Sequence, residues 1–360
     1  MSRARSFLYM VVNHYRWPKP RSKLGFYGEL EEQKACVYSV RRIDPSTLFH
    51  REDQPQAAPA TKKTRLPPPI TTFGHPVIGF NGRTMEFMLF GRARDKILAA
   101  PRLKSPEHKP VLYDLASRTS CSLPGMSVPK CRSLWLAVGD DLYVMEDAPL
   151  WWEREDDASS KNPMEALVQA GKNPMDRAWH LLPAPPYVPP PPHGYPCDIV
   201  STAAVVGDSH IWVSSKGQGT FFLDTETRAW SKAADWDLPF QGQVQHAPEH
   251  GLWYGFSARD KGVLCAADLS SLVSTGEQPL PRLGSHELDM GIVAPEGRTE
   301  RQDCSCLVHL DGGRFCVANY YSKVVMLTGM EVERRGEVLH LIKHKSCIYP
   351  LRGNCFECLL

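Results

Sequence analysis

A Leu-Pro pair closes a run of β-forming residues again and again along this chain, at Leu123-Pro124, Leu182-Pro183, Leu238-Pro239 and Leu280-Pro281. Proline cannot donate to a strand ladder, so each pair marks a place where the chain leaves a sheet. The marks lie roughly 40 to 60 residues apart, about the length of one four-stranded sheet with its connections. A chain punctuated in this way is expected to fold as a series of similar small sheets. Its 31 prolines and 26 glycines fit a fold built on turns, and helical periodicity is nowhere sustained.

The clearest unit spans Ala203 to Phe240. Ala204-Val205-Val206, the turn Gly207-Asp208, and Ile211-Trp212-Val213 read as a hairpin. A third strand runs from Gly219 to Asp224, and a fourth carries Trp230. Asp224 is placed to close a turn through backbone N–H groups, and the Trp230 ring to pack against a neighbouring sheet. Weaker copies carry the same marks at Asp114, Gly139, Asp140 and Trp179 on one side, and at Trp253 and Asp268 on the other. A last hairpin turns at Asp311-Gly312-Gly313.

These repeats imply an all-β fold, a β-propeller of six blades. The leftover strands Phe7 to Val12, Val37 to Ile43 and Leu339 to Tyr349 would supply the sixth, shared between the chain ends, which removes the open sheet edge of an incomplete ring. One domain over residues 1–350 is expected, with surface insertions near 53–69, 153–178 and 183–196 and a frayed tail at 351–360. Within the second insertion, Met164 to Gln169 reads as a strand.

Forty-two basic against 40 acidic residues leave a formal charge of +2, which provides no concentrated field for nucleic acid or an acidic membrane. The N-terminal apolar run Phe7 to Val12 is too short for a signal-peptide core or a membrane span. The 11 cysteines are odd in number and scattered, suiting buried thiols of an intracellular, cytoplasmic or nuclear protein.

Phe222-Leu223-Asp224-Thr225 with Arg228-Ala229-Trp230, then Asp235-Trp236-Asp237-Leu238-Pro239-Phe240, and Gly251-Leu252-Trp253-Tyr254-Gly255 with Leu264 to Leu269, resemble a plant, cereal-expanded kelch-like β-propeller family of unknown function. Val37 to Ile43 and Trp179 to Pro192 are similar to it too, so the resemblance spans most of the chain. It implies a propeller and carries no catalytic or binding residue to any position. Plant kelch chains are often joined to an F-box, but residues 1–36 lack its helical, Leu-rich pattern.

Candidate chemical motifs have simpler readings. Cys355 and Cys358 have metal-ligand spacing but supply half of a zinc site. His340 and His344 on a strand would share a face beyond ligand distance and lack the intervening Glu of a metalloprotease. Gly207-Asp208-Ser209-His210 is a hairpin turn and lacks the strand-to-helix setting of a nucleophile elbow. Gly217-Gln218-Gly219 lacks the helix that a phosphate loop requires. Lys62-Lys63-Thr64-Arg65 reads as a solvated charge cluster, and the prolines at 189–192 as a stiff connection. The sequence thus points to a scaffold that recognises another protein through loops, with no catalytic, cofactor or metal residues assigned. The alternative is a kelch-type enzyme with a metal or hydrolytic centre at the central channel, which needs groups converging from several blades.

Overall fold

The structure, a computed structural model, describes residues 6–14, 36–50, 61–75, 85–101, 109–127, 130, 133–146, 164–173, 176–186, 200–207, 209–259, 263–270, 304–321, 323–336 and 338–360. Their regular structure is β apart from one 3-10 turn, Pro45–Leu48, capped by Asp44 through the Ser46 N–H.

In chain order the strands begin with β1 (Leu8–Asn13), β2 (Cys36–Ile43), β3 (Thr61–Lys63), β4 (Pro69–His75), β5 (Met85–Phe90), β6 (Lys96–Pro101), β7 (Val111–Asp114) and β8 (Thr119–Ser122). They continue with β9 (Ser133–Val138), β10 (Asp141–Glu146), β11 (Met164–Gln169), β12 (Arg177–Leu182), β13 (Val200–Val206), β14 (His210–Ser215), β15 (Gly219–Asp224) and β16 (Ala229–Ala234). The remainder are β17 (Phe240–Ala247), β18 (Leu252–Ser257), β19 (Leu264–Ala267), β20 (Cys304–Asp311), β21 (Arg314–Tyr321), β22 (Val324–Arg335), β23 (Val338–Pro350) and β24 (Cys355–Leu359).

Hydrogen bonds order them as β24-β1-β2-β4, β5-β6-β7-β8, β9-β10-β11-β12, the seven-stranded β16-β15-β14-β13-β17-β18-β19, and β20-β21-β22-β23-β3. The seven-stranded array is two antiparallel halves bridged in parallel, Thr202 to Gly242 and Ala203 to Gln243. Counting each half gives six units among the described residues: a terminal unit holding β1 and β24, then a second to a sixth in sequence order.

Apolar packing joins the units in a cycle. Tyr38 and Phe87 meet between the terminal and second units, and Leu112 and Leu142 belong to the cluster between the second and third. Leu182 and Leu223 share the third–fourth cluster, and Trp212 and Trp253 the fourth–fifth. Tyr254 packs on Phe315 at 4.8 Å between the fifth and sixth units. Val325 and Leu327 share the last cluster with Leu8 and Phe356, back in the terminal unit. Middle strands such as β10 and β14 are therefore buried on both faces, while outer strands such as β8 and β16 are largely exposed. The first strands β5, β9, β13, β17 and β20 each approach the next, and β20 approaches β24.

Three expectations need correction. Residues 351–360 are not a frayed tail: Cys355–Leu359 pairs antiparallel with β1, with Phe356 and Leu359 buried against the sixth unit. The terminal unit is completed by this strand and not by Leu339 to Tyr349, which lie in β23 on the outer side of the sixth unit. The 53–69 segment is not all loop, since β3 pairs in parallel with β23 at Cys347 and Ile348. The strand read at Met164 to Gln169 is β11. Leu280-Pro281, residues 153–162 and the prolines at 189–192 lie outside the described residues.

Candidate functional site

The repeat residues occupy turns and seams. Asp114 Oδ1 accepts from the N–H groups of Ala116 and Ser117 at 2.9 and 2.8 Å, turning β7 into β8. Asp224 Oδ1 does the same for Glu226 and Thr227 at 2.9 and 3.3 Å, and Asp268 Oδ1 accepts from the Ser270 N–H at 3.0 Å. Burial opposes ionisation of Asp114, but the Ser117 and Ala116 bonds win and hold its carboxyl below the ordinary value. For Asp224 the Glu226 N–H is the leading cause of a downward shift. In both turns the fourth residue after the aspartate is an arginine with left-handed backbone, Arg118 at φ 57° and Arg228 at φ 59°.

Gly139 and Gly207 adopt positive φ in the first hairpin of their units, as do Gly312 and Gly313. A Cβ on Gly313 would stand 2.5 Å from the Val332 carbonyl. Asp140 bonds across a seam instead of closing its own turn: its Oδ1 accepts from the Arg92 N–H at 3.0 Å. Asp208 lies outside the described residues. Trp179 and Trp230 are half-buried on outer strands, each donating to a proline carbonyl of the preceding unit. Trp253 is not their counterpart, because it sits on the second strand of its unit, nearly fully buried, stacked on His246 at 4.2 Å and donating to the Val205 carbonyl.

Several polar groups meet within and between the units. His309 Nε2 lies 2.8 Å from Glu249 Oε1, which also accepts the Gly313 N–H, tying the fifth unit to the sixth. His344 Nε2 lies 2.8 Å from Glu331 Oε2, whose other oxygen meets Arg314 Nε at 3.3 Å. The register shift between Thr328 and Met330 falls opposite the stretch from Lys343 to Ser346; on that strand His340 is exposed and His344 is buried. A buried ion pair, Lys130 to Glu165 at 3.0 Å, fixes the entry to the third unit; no motif announced it in the sequence.

One cluster has the connectivity of a hydrolytic triad. Ser39 Oγ lies 2.7 Å from His14 Nε2, and His14 Nδ1 lies 3.2 Å from Asn354 Oδ1. Ser39 is 1% exposed and already receives the Arg41 Nε–H, so no substrate carbonyl can reach its hydroxyl. The cluster instead ties β1 and β2 to the turn before β24. Burial pushes the Cys265 thiol up to about 11 and raises those of Cys121 and Cys347; these are protonated at neutral pH and poor nucleophiles. No disulfide joins the described cysteines, and no group of three His, Cys, Asp or Glu among the described residues is placed to hold a metal. The Ser209 and Gly217 motifs are hairpin turns; a Cβ on Gly219 would strike the Ala234 carbonyl at 2.2 Å.

A cleft of about 180 Å³ opens in the third–fourth seam. Its wall is Ala166, Val168, Leu182 and Leu223, and its rim includes Asp141, Tyr143, His180, Thr225 and Arg228. Burial raises the Tyr143 phenol, partly offset by a hydrogen bond with Thr225. Arg177 engages Asp141 at 3.3 Å.

Residues 5–349 match the family described as a protein of unknown function, DUF1668. The chain belongs to that family. No curated protein matches this DUF1668 chain by sequence. Among solved structures it is similar to the β-propeller domain of Cps50 (Swd1) from Myceliophteria thermophila, at 10% identity and a TM-score of 0.40, over 86% of this chain and 80% of that one. It is similar also to Kluyveromyces lactis Hsv2, at 8% identity and a TM-score of 0.37, over 89% of this chain and 84% of that one. No helix among the described residues is long and apolar enough to cross a membrane.

Proposed function

We propose that this chain is a six-bladed, kelch-like propeller of the plant type its sequence resembles, and that it serves as a scaffold recognising another protein. The observation that carries the reading is the cycle of seams, which begins and ends in the terminal unit where β1 pairs with β24. A frame closed on itself holds its end turns in fixed relation and leaves their side chains free to vary. The Asp224 turn and the Trp230 seam bond agree with the kelch pattern.

Groups able to do chemistry are engaged in holding the frame: Glu249 with His309 across a seam, and Ser39 with His14 within the terminal unit. Recognition therefore falls to the turns and inter-unit segments. Exchanging residues 153–162 or 183–196 for unrelated loops is expected to change the proteins recovered in a pull-down while the thermal transition stays near wild type. The same partner set after both exchanges would remove this assignment.

A further inference from the structure

The outer edge of the terminal unit stands apart from the other free edges. Among the described residues the outer strands β3, β4, β8, β12, β16 and β19 each end a sheet. β3 is three residues long and β8 and β19 are four, while β12 opens on Arg177 and β16 carries Lys232. β4 has seven residues, Pro-Ile-Thr-Thr-Phe-Gly-His, without Lys, Arg, Asp or Glu. Short length and basic side chains keep a sheet edge from pairing with another chain, and β4 has neither. Two of the four exposed large apolar residues among those described also lie here, Val37 at 39% on β2 and Ile70 at 38% on β4.

The ladder fixes which way the backbone of β4 faces. Tyr9 exchanges both main-chain hydrogen bonds with Leu360, and the His14 N–H donates to the Val37 carbonyl at 2.8 Å. Bonding alternates along a strand, so Val37, Ser39 and Arg41 turn toward β1 while Tyr38 and Val40 turn toward β4. Their partners there are Phe73 and Thr71. Thr72 and Gly74, opposite Ser39 and Val37, therefore direct their N–H and C=O groups away from β2, and both residues are exposed. The register steps from Val40–Thr71 to Arg41–Pro69 and skips Ile70, which has no partner on β2.

We propose that this edge pairs with the same edge of a second copy of the chain, antiparallel about a two-fold axis at Thr72. Thr72 then exchanges N–H and C=O bonds with the partner's Thr72, and Ile70 lies opposite the partner's Gly74. The fit of the edge to itself selects the occupant. A Cβ added at Gly74 meets nothing within 4 Å, and Val37 stands across the ladder from it. Each Ile70 thus brings an exposed apolar side chain to a bare position flanked by an exposed valine, and the two-fold makes that contact twice. No like charges oppose one another, because the strand has no Lys, Arg, Asp or Glu. Such a contact closes after two copies and leaves no edge for further growth.

The test is sedimentation equilibrium of the full chain, with variants at Thr72. The wild type is expected to show a reversible monomer–dimer equilibrium with a Kd on the order of 10 μM, as suits a contact smaller than a standard interface. Thr72→Lys sets two cations against each other at the axis and should weaken the dimer about tenfold. Its thermal transition, read on dilute monomer, should stay near wild type, because Thr72 is exposed and its backbone faces away from β2. Thr72→Cys gives a register-specific readout that does not depend on Thr72→Lys folding well. Residues opposed in a hydrogen-bonded pair have Cα atoms about 5.5 Å apart, within reach of a disulfide, so mild oxidation should link the two copies. Gly74→Cys, opposed by Ile70, should link no more than the wild-type chain with its native cysteines. A chain that stays monomeric up to about 200 μM, well above that Kd, overturns the proposal. So does a dimer that Thr72→Lys leaves intact, a species that grows beyond two copies, or linking of Thr72→Cys no greater than that of wild type or Gly74→Cys. The loop exchanges above test the scaffold reading separately.

Discussion

The Trp230 indole N–H donates to the Pro183 carbonyl at 3.0 Å, and one seam earlier Trp179 makes the same bond to Pro124 at 2.9 Å. Each proline belongs to a Leu-Pro pair whose leucine is buried, Leu182 at 6% and Leu123 at 3% exposure. The two most regular marks in the sequence are thus halves of one contact: the exit of one unit is the acceptor for the outer strand of the next.

That contact makes a graded prediction. Trp230→Phe keeps an aromatic ring and removes only the donor, so it is expected to cost about 1 kcal/mol. Trp230→Ala is expected to cost about 2 kcal/mol, less than the roughly 3 to 5 of a fully buried ring, because this one is only partly buried. Trp179→Phe acts in a separate seam, and the double Phe variant should lose the sum of the two. Urea melts measure all of these; a double variant no less stable than either single one would show that the bonds contribute nothing.

Much of this arrangement was legible in the chain. Leu-Pro exits, Asp-closed turns at Asp114 and Asp224, and glycine hairpins at Gly139 and Gly312 depend on local chemistry, so they can be read from neighbouring residues. Contacts across a seam depend on which unit lies alongside, and no local pattern encodes that. Asp140 looked like a turn residue of its own hairpin and bonds the Arg92 N–H of the unit before. Cys355 to Leu359 looked like a tail because five residues after Gly353 carry a weak strand signal; the pairing with β1, more than 340 residues away in sequence, makes them a strand. Lys130 and Glu165 carry no motif at all, and their pairing is a product of burial.

Lys130 and Glu165 permit a sharper test. Both side chains are almost wholly out of solvent, at 1% and 0% exposure. Lys130→Met leaves a carboxylate in the interior with its main counter-charge gone, and is expected to cost about 3 to 5 kcal/mol. Combining it with Glu165→Leu removes the charge as well as its partner and should recover most of that loss, since an apolar pair of similar volume is often as stable as a buried ion pair. A double variant as unstable as Lys130→Met would mean that packing around Lys130, and not the uncompensated charge, sets the cost.

Acidification should loosen the frame. Burial, the leading cause for each, lowers the proton affinity of His14, His250, His309 and His344 relative to the ordinary value. The unfolded chain then binds more protons than the folded one as pH falls through about 6.5, so folding stability drops below that pH. Glu249, whose carboxyl lies below the ordinary value because the His309 and Gly313 bonds outweigh burial, adds a further loss as its unfolded form takes up a proton near pH 4.5. Urea midpoints at pH 7.5, 6.0 and 5.0 should therefore fall in that order. A midpoint that holds steady or rises on acidification would contradict the histidine assignments.

In the proposed propeller, closure through β24 is the feature on which the remaining seams would depend, because without it β1 would present an unpaired ladder and the sixth unit would lose its apolar neighbour. Phe356 is fully buried in the cluster that joins the sixth unit to Leu8 and Met10. Phe356→Ala is expected to cost about 3 to 5 kcal/mol, a large share of the about 5 to 15 kcal/mol that holds a typical domain folded. Truncation after Gly353 should go further, since Asn354 and its bond to His14 are lost with the strand. Adding a synthetic peptide of residues 354–360 should then restore the thermal transition in proportion to its concentration, because a strand that binds only the folded form stabilises it by mass action. A truncated chain as stable as the full one, and indifferent to the peptide, would mean that the six units hold together without closure.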